Sequence, residues 1–91
     1  MVTKTFTFEG DELEINYSTS AAGEIKMELQ DKNGNPLPGY SLNDCQLIIG
    51  NEIKRVVTWN GSSDLKKISN QPVRMRIYLK DADLFSFKFN E

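Results

Sequence analysis

Apolar and polar residues alternate along most of this chain with the period of two that marks a strand with one buried face. The opening TKTFTF sets Phe6 and Phe8 on one side, and ELEINYS sets Leu13, Ile15 and Tyr17 on one side, with EGDE between them reading as a hairpin turn. GEIKMELQ points Ile25, Met27 and Leu29 inward and Glu24, Lys26 and Glu28 outward. Next, Asn33-Gly34 supplies the positive-φ pair of a tight turn, with Pro36 and Pro38 halting the strand. A short strand near Tyr40 to Leu42, a loop with Asn43 and Asp44, and an apolar plug of Leu47, Ile48 and Ile49 come after it. IKRVVTW aligns Ile53, Arg55, Val57 and Trp59 against Lys54, Val56 and Thr58.

The alternation breaks at NGSSDLKKISNQP, where Ser63 or Asp64 is placed to cap one helical or 3₁₀ turn that lays Leu65 and Ile68 on the core. VRMRIYLK then turns Val73, Met75, Ile77 and Leu79 inward and Arg74, Arg76, Tyr78 and Lys80 outward. LFSFKF gives Phe85, Phe87 and Phe89 a common face, predicted to be the buried one. Seven or eight short strands, regular turn signals and one helical turn predict an all-β fold, an antiparallel two-sheet β-sandwich of jelly-roll-like form. It occupies a single domain, residues 1–91.

Composition narrows what such a domain can do. A hydrophobic share of 38% and a charged share of 26% belong to an ordinary globular domain. A net charge of −2 and a pI near 5.1 argue against nucleic acid as a partner, because phosphate neutralisation needs a concentrated basic surface. No apolar run approaches the roughly 18 residues of a membrane-spanning helix, and no charged-then-apolar leader opens the chain, so neither a membrane span nor a signal peptide is predicted. With no histidine, Ser-His, Cys-His and His-metal constellations are excluded. Cys45, the one cysteine, is expected to be a small buried residue, since no intramolecular bridge is open to it.

The remaining chemistry lies in three places. Asp81 and Asp83, between two alternating runs, read as the corner of a hairpin whose carboxylates accept backbone N–H bonds. Their competing readings are a calcium site, because carboxylates and loop carbonyls are hard oxygen ligands, and a catalytic carboxylate pair. No other cofactor is implied. The outward row Arg74, Arg76 and Tyr78, extended by Lys54 and Thr58 if their strand lies alongside, joins guanidinium groups to an aromatic ring. That equipment suits sugar hydroxyls or carboxylates. Tyr40, Asn43 and Asp44 form a second candidate surface, and the phase of Trp59 places it in the core.

LEINYSTSAAGEIKMELQDKNGNPLPGYSLNDC, IIGNEIKRVVTWNGSSDL and QPVRMRIYLKDADLFSFKF together resemble a β-sandwich domain found near the C-termini of large bacterial proteins. Those parents are described as glycoside hydrolases, family 32-like or sialidase-like, or as uncharacterised secreted proteins. The resemblance implies a non-catalytic accessory module, excised from the C-terminus of a larger protein that is secreted or periplasmic. Its partners would be the parent catalytic domain and a polysaccharide or oligosaccharide. Two roles follow: carbohydrate binding on the Arg74, Arg76 and Tyr78 face, or purely structural packing on the parent catalytic domain, which requires an exposed apolar patch.

Overall fold

The structure, a computed structural model, describes residues 2–90. Two long strands dominate it: β1 (Glu12–Asp31) and β3 (Val73–Asn90), with β2 (Asn51–Val56) between them in sequence. The sheet is antiparallel, in the order β2-β1-β3. The seven or eight strands of a two-sheet sandwich are not seen among the described residues. Much of what alternation reads as separate strands is either one continuous strand or a set of isolated bridges.

ELEINYS and GEIKMELQ are two halves of β1, and VRMRIYLK and LFSFKF are two halves of β3. The sequence KDAD is therefore not a hairpin turn. Thr19 faces Ala82 and Glu24 faces Lys80, so Ser20 to Gly23 are accommodated opposite Asp81 alone. Asp81 takes a φ of 46°, a left-handed conformation that aspartate tolerates better than most residues and that also occurs in turns. The same local signal thus serves a wide bulge, at which the sheet turns a corner.

The corner folds the sheet over a single core. Leu13, Ile15 and Tyr17 from one side of it, and Ile25, Met27, Leu29, Val73, Met75 and Ile77 from the other, belong to one buried cluster. Phe6, bridged to Val73, lies 5.9 Å from the ring of Phe89, at the far end of β3, and Phe8 stacks on Phe89 at 4.1 Å. Phe6 and Phe8 do face inward as predicted, but EGDE closes no hairpin with β1. Instead, Val2 and Phe6 bridge to Arg76 and Val73, and the chain crosses to β1 past Asn90, whose carbonyl accepts the Asp11 N–H at 2.7 Å. Gly10, at φ 138°, makes that crossing possible, because a Cβ there would meet the Asn90 carbonyl oxygen at 2.7 Å.

Beyond the corner, the edge of β1 away from β3 is satisfied piecemeal. Ile25 exchanges hydrogen bonds with Ile48, and Leu29 receives the N–H of Leu37 and donates to the carbonyl of Tyr40. At Met27, side chains take the place of a strand: its N–H points to Cys45 Sγ at 3.4 Å, and its carbonyl accepts Trp59 Nε1–H at 2.9 Å. Trp59 and Cys45 are buried as their sequence positions predict. Burial pushes the Cys45 thiol up, only partly opposed by the Met27 N–H and by Lys26 and Arg55, so it is an inert packing group.

The predicted helical turn is present as a 3₁₀ turn, Lys66–Ile68, with Leu65 and Ile68 buried and the Asp64 carboxylate accepting the Lys66 N–H at 2.9 Å. A turn forms at Asn33-Gly34 as well, but not through a pair of positive-φ residues: Gly34 alone takes one, 87°, and its N–H donates to the Asp31 carbonyl at 3.0 Å. Asp31 Oδ1 accepts the N–H groups of Asn35 and Asn33, which holds its carboxyl below the ordinary range. Of the apolar plug, only Ile48 is inward, since Leu47 and Ile49 are exposed. Tyr40 to Leu42 runs into a turn and is not a strand.

Candidate functional site

Asn16 lies midway along the first half of β1, and both neighbouring strands break register beside it. On one side Ile15 faces Arg55 and Tyr17 faces Glu52, so Ile53 and Lys54 together oppose Asn16. On the other side Asn16 faces Ser86 and Tyr17 faces Leu84, which leaves Phe85 as an extra residue. A bulge adds one residue to one strand and re-aims the side chains around it. Two bulges at one position of the central strand turn Ile53 and Phe85 out, leaving them 75% and 63% exposed.

This corrects the expectation that Ile53 and all three phenylalanines face the core. Phe89 is partly buried against Phe8, while Phe87, opposite Ile15, is 42% exposed. Strict alternation carries no mark of a bulge, so the outward turn of Phe85 could not be read from the pattern.

Between these two apolar walls runs a groove of about 640 Å³ over Asn16 and Ser18, flanked by Asn51, Glu52 and Lys54. A smaller depression of about 380 Å³ continues it past Lys54 to Ser86 and Lys88. The polar rim is partly held in place. Ser18 donates to Asn51 at 2.6 Å, Arg55 pairs with Glu52 at 3.1 Å, and Lys88 pairs with Glu14 at 3.4 Å. The hydroxyl of Tyr17, below the groove, donates to the Ile49 carbonyl at 2.7 Å and lies 3.2 Å from Glu52. Burial first, and then the neighbouring Glu52 carboxylate, raise the Tyr17 pKa. Among the described residues Lys54 makes no ion pair, so its ammonium is available to a ligand.

The row anticipated from the sequence does not assemble as a whole. Arg74, Arg76 and Tyr78 alternate on β3 opposite Gln30, Glu28 and Lys26, beyond the corner. Arg74 is tied to the Thr5 hydroxyl at 3.1 Å, whereas Arg76 and Tyr78 are exposed. Lys54 is on β2, on the other side of β1 and before the corner, and Thr58 is occupied with the side chain of Gln46. Neither extends the arginine row: β1 separates Lys54 on β2 from β3, and Lys54 and the arginines lie on different halves of the bent sheet, while Thr58 lies outside β2 with its hydroxyl on Gln46.

The second candidate surface is structural in its details. Asp44 accepts from the hydroxyl of Ser41 at 2.9 Å and from Asn60 Nδ2 at 3.1 Å, which together lower its pKa, and the hydroxyl of Tyr40 donates to the Asp64 carbonyl at 2.9 Å. Asn43 is exposed beside them. Glu28, expected outward, is buried under that loop, where it accepts from Gln30 Nε2 at 2.7 Å and from the Leu42 N–H at 3.2 Å. Asp81 and Asp83 are both exposed at the corner, and among the described residues no cluster of three or more acidic, cysteine or histidine side chains is arranged to hold a metal ion. No helix of the described residues is long and apolar enough to cross a membrane.

No family model, curated protein or solved structure matches the chain.

Proposed function

We propose that this chain is a non-catalytic accessory module of a bacterial carbohydrate-active enzyme, of β-sandwich type, and that it holds a glycan in the groove over Asn16. The observation that carries this reading is the paired bulge. It opens a groove within the few-hundred-Å³ range of ligand sites and lines it with an exposed aromatic ring, two side-chain amides, a carboxylate and an unpaired ammonium. An aromatic face for the C–H side of a pyranose, with short polar groups around it for the hydroxyls, is the chemistry that recognises a sugar. Binding of this kind raises the local substrate concentration for a linked catalytic domain without any chemical step.

The test is affinity electrophoresis of the chain through gels containing a panel of polysaccharides, with and without calcium. Phe85→Ala and Asn16→Ala are expected to weaken retardation by about tenfold or more, the effect of removing a central contact. Arg76→Ala and Tyr78→Ala should leave it unchanged; the reverse pattern would move the site to the arginine row. Retardation by no glycan would sink the carbohydrate reading.

A second reading has one observation in its favour. Ile53 is three-quarters exposed, and a branched aliphatic wall suits a protein surface better than a sugar. On that reading the same groove packs on the parent's catalytic domain, and Ile53→Asp abolishes association with that domain added in trans.

A further inference from the structure

The sheet order makes β3 an edge strand, and only part of that edge is covered. Near its start, Val2 and Phe6 bridge to Arg76 and Val73. From Ala82 to Phe89, no described segment pairs with the outer edge.

The direction of the free backbone groups follows from the ladder. Val57 donates to the Leu13 carbonyl, and Thr19 donates to the Gly50 carbonyl, so Leu13, Ile15, Tyr17 and Thr19 all aim their backbone groups at the β2 side of β1. Their partners across β3 are Phe89, Phe87, Leu84 and Ala82. These occupy the non-hydrogen-bonded positions of the β1–β3 ladder and so present their N–H and C=O groups to the open edge. The side chains of Leu84 and Phe87 border an apolar notch of about 440 Å³ there, with Thr3 and Ile77.

The bulge gives this edge an internal symmetry. Because Phe85 is an extra residue, Ala82, Leu84, Phe87 and Phe89 share the core face, opposite Thr19, Tyr17, Ile15 and Leu13, while Asp83 and Lys88 share the outer face, opposite Ser18 and Glu14. Two copies laid antiparallel about a two-fold axis through Phe85 and Ser86 therefore match face to face. Leu84 of each meets Phe87 of the other, and Ala82 meets Phe89, at positions where both residues have free backbone groups. Asp83 meets Lys88 twice. In an unbulged strand a two-fold axis sets a residue opposite itself, and Asp83 and Lys88, on opposite faces, could not meet.

We propose that the Ala82–Phe89 edge of β3 is a self-association surface, at which a second copy of this chain adds its own β3 antiparallel and places each Asp83 against the Lys88 of the other copy. An edge strand with exposed phenylalanines and no blocking proline is open to such pairing. The pairing covers Phe87 and completes the ladder on both copies. Lys88 then stands between its own Glu14, at 3.4 Å, and the incoming carboxylate.

Sedimentation velocity and equilibrium over a wide concentration range test this, with charge swaps on the two exposed residues. The wild-type chain should dimerise. Asp83→Lys and Lys88→Asp, each alone, set like charges opposite one another twice and should weaken the dimer by at least about tenfold. Mixed in equal amounts, the two variants should form a heterodimer, because each then offers the charge the other lacks. Thermal melts of both variants check that the fold is intact. A wild-type chain that stays monomeric at every concentration overturns the proposal, as does a dimer indifferent to both swaps or a mixture that forms no heterodimer. Glycan retardation is read separately, so loss of the groove reading leaves this result standing.

Discussion

Gly23 is the point on which the corner turns, and replacing it by alanine perturbs the corner alone. A Cβ there would lie 2.3 Å from the Asp81 carbonyl oxygen and 2.8 Å from that of Lys80, well inside the 3.4 Å at which ordinary contact begins. Both obstacles are backbone, so no rotamer change relieves them, and one strand must move by about an ångström against a well-packed neighbour. Overpacking of this kind costs about 1–3 kcal/mol, and backbone opposition places the cost near the upper end. Gly23 is not in the left-handed region, so alanine also gains the ~0.4–1 kcal/mol that follows from a less flexible unfolded chain.

The net loss is about 2 kcal/mol, a large share of the ~5–14 kcal/mol expected for a domain of this size. The corresponding fall in Tm is about 8–16 °C. Urea unfolding followed through the fluorescence of buried Trp59 measures it directly. Gly50→Ala provides the contrast: nothing lies within 4 Å of its Cβ position, and its loss of about 1–2 kcal/mol comes from the left-handed φ of 90° alone. A Gly23→Ala variant as stable as the parent, or more so, would refute the close approach of the two strands at the corner.

Two further predictions concern the core and the titrating groups. Trp59→Phe leaves the Met27 carbonyl without its indole donor in a buried setting and opens a void beside Tyr40, so a loss of about 3 kcal/mol is expected in thermal melts followed by circular dichroism; a change under about 0.5 kcal/mol would contradict the capping role. Asp31 and Asp44 have lowered pKa values in the folded chain, so the stability they contribute is fully present above the ordinary 3.8 and is lost as pH falls below it. Cys45, Tyr17 and Tyr40 are raised, so the unfolded chain ionises first and stability falls as pH rises past about 9 to 10. Urea midpoints across both limbs check the signs, and Asp31→Asn with Asp44→Asn should flatten the acid limb.

Alternation was a sound guide to facing in the middle of a run and failed at bulges and at the corner. Leu13, Ile15 and Tyr17, then Ile25, Met27 and Leu29, then Val73, Met75 and Ile77 are buried as the period of two predicts, whereas Leu79, expected inward with the last three, is 38% exposed beside the corner. It carried no information on which run pairs with which, and there the expectations departed from the structure. Asp81 bears the residue type of a turn but serves a corner within one strand, and the EGDE segment crosses between the two halves of the sheet instead of closing a hairpin.

The groove was illegible for a related reason. It depends on two bulges meeting at Asn16, and a bulge is set by the pairing of two distant segments, with no residue in Ile53, Lys54 or Phe85 that announces it. Glu28 was misread because a loop covers it, a tertiary fact outside the strand's own pattern. The capping of Met27 by Cys45 and Trp59 likewise joins residues whose burial was evident but whose task was not.

The uninterrupted passage of β1 and β3 through the corner also sets how the chain must fold. β1 finds its principal partner far away in sequence: Glu14 meets Asn90 across 76 positions, and even the near end of the β1–β3 ladder waits for Val73. Apart from the local bonds its end makes with residues 33–40, each contact of the β1–β3 ladder must close a long loop before a hydrogen bond rewards it, the situation of a slow-folding, high-contact-order domain. During synthesis the whole of β1, with its alternating apolar face, is made before its principal partner exists. Until β3 arrives, twenty residues of strand stand with their edge unpaired, which makes the time before docking the period of greatest exposure to aggregation.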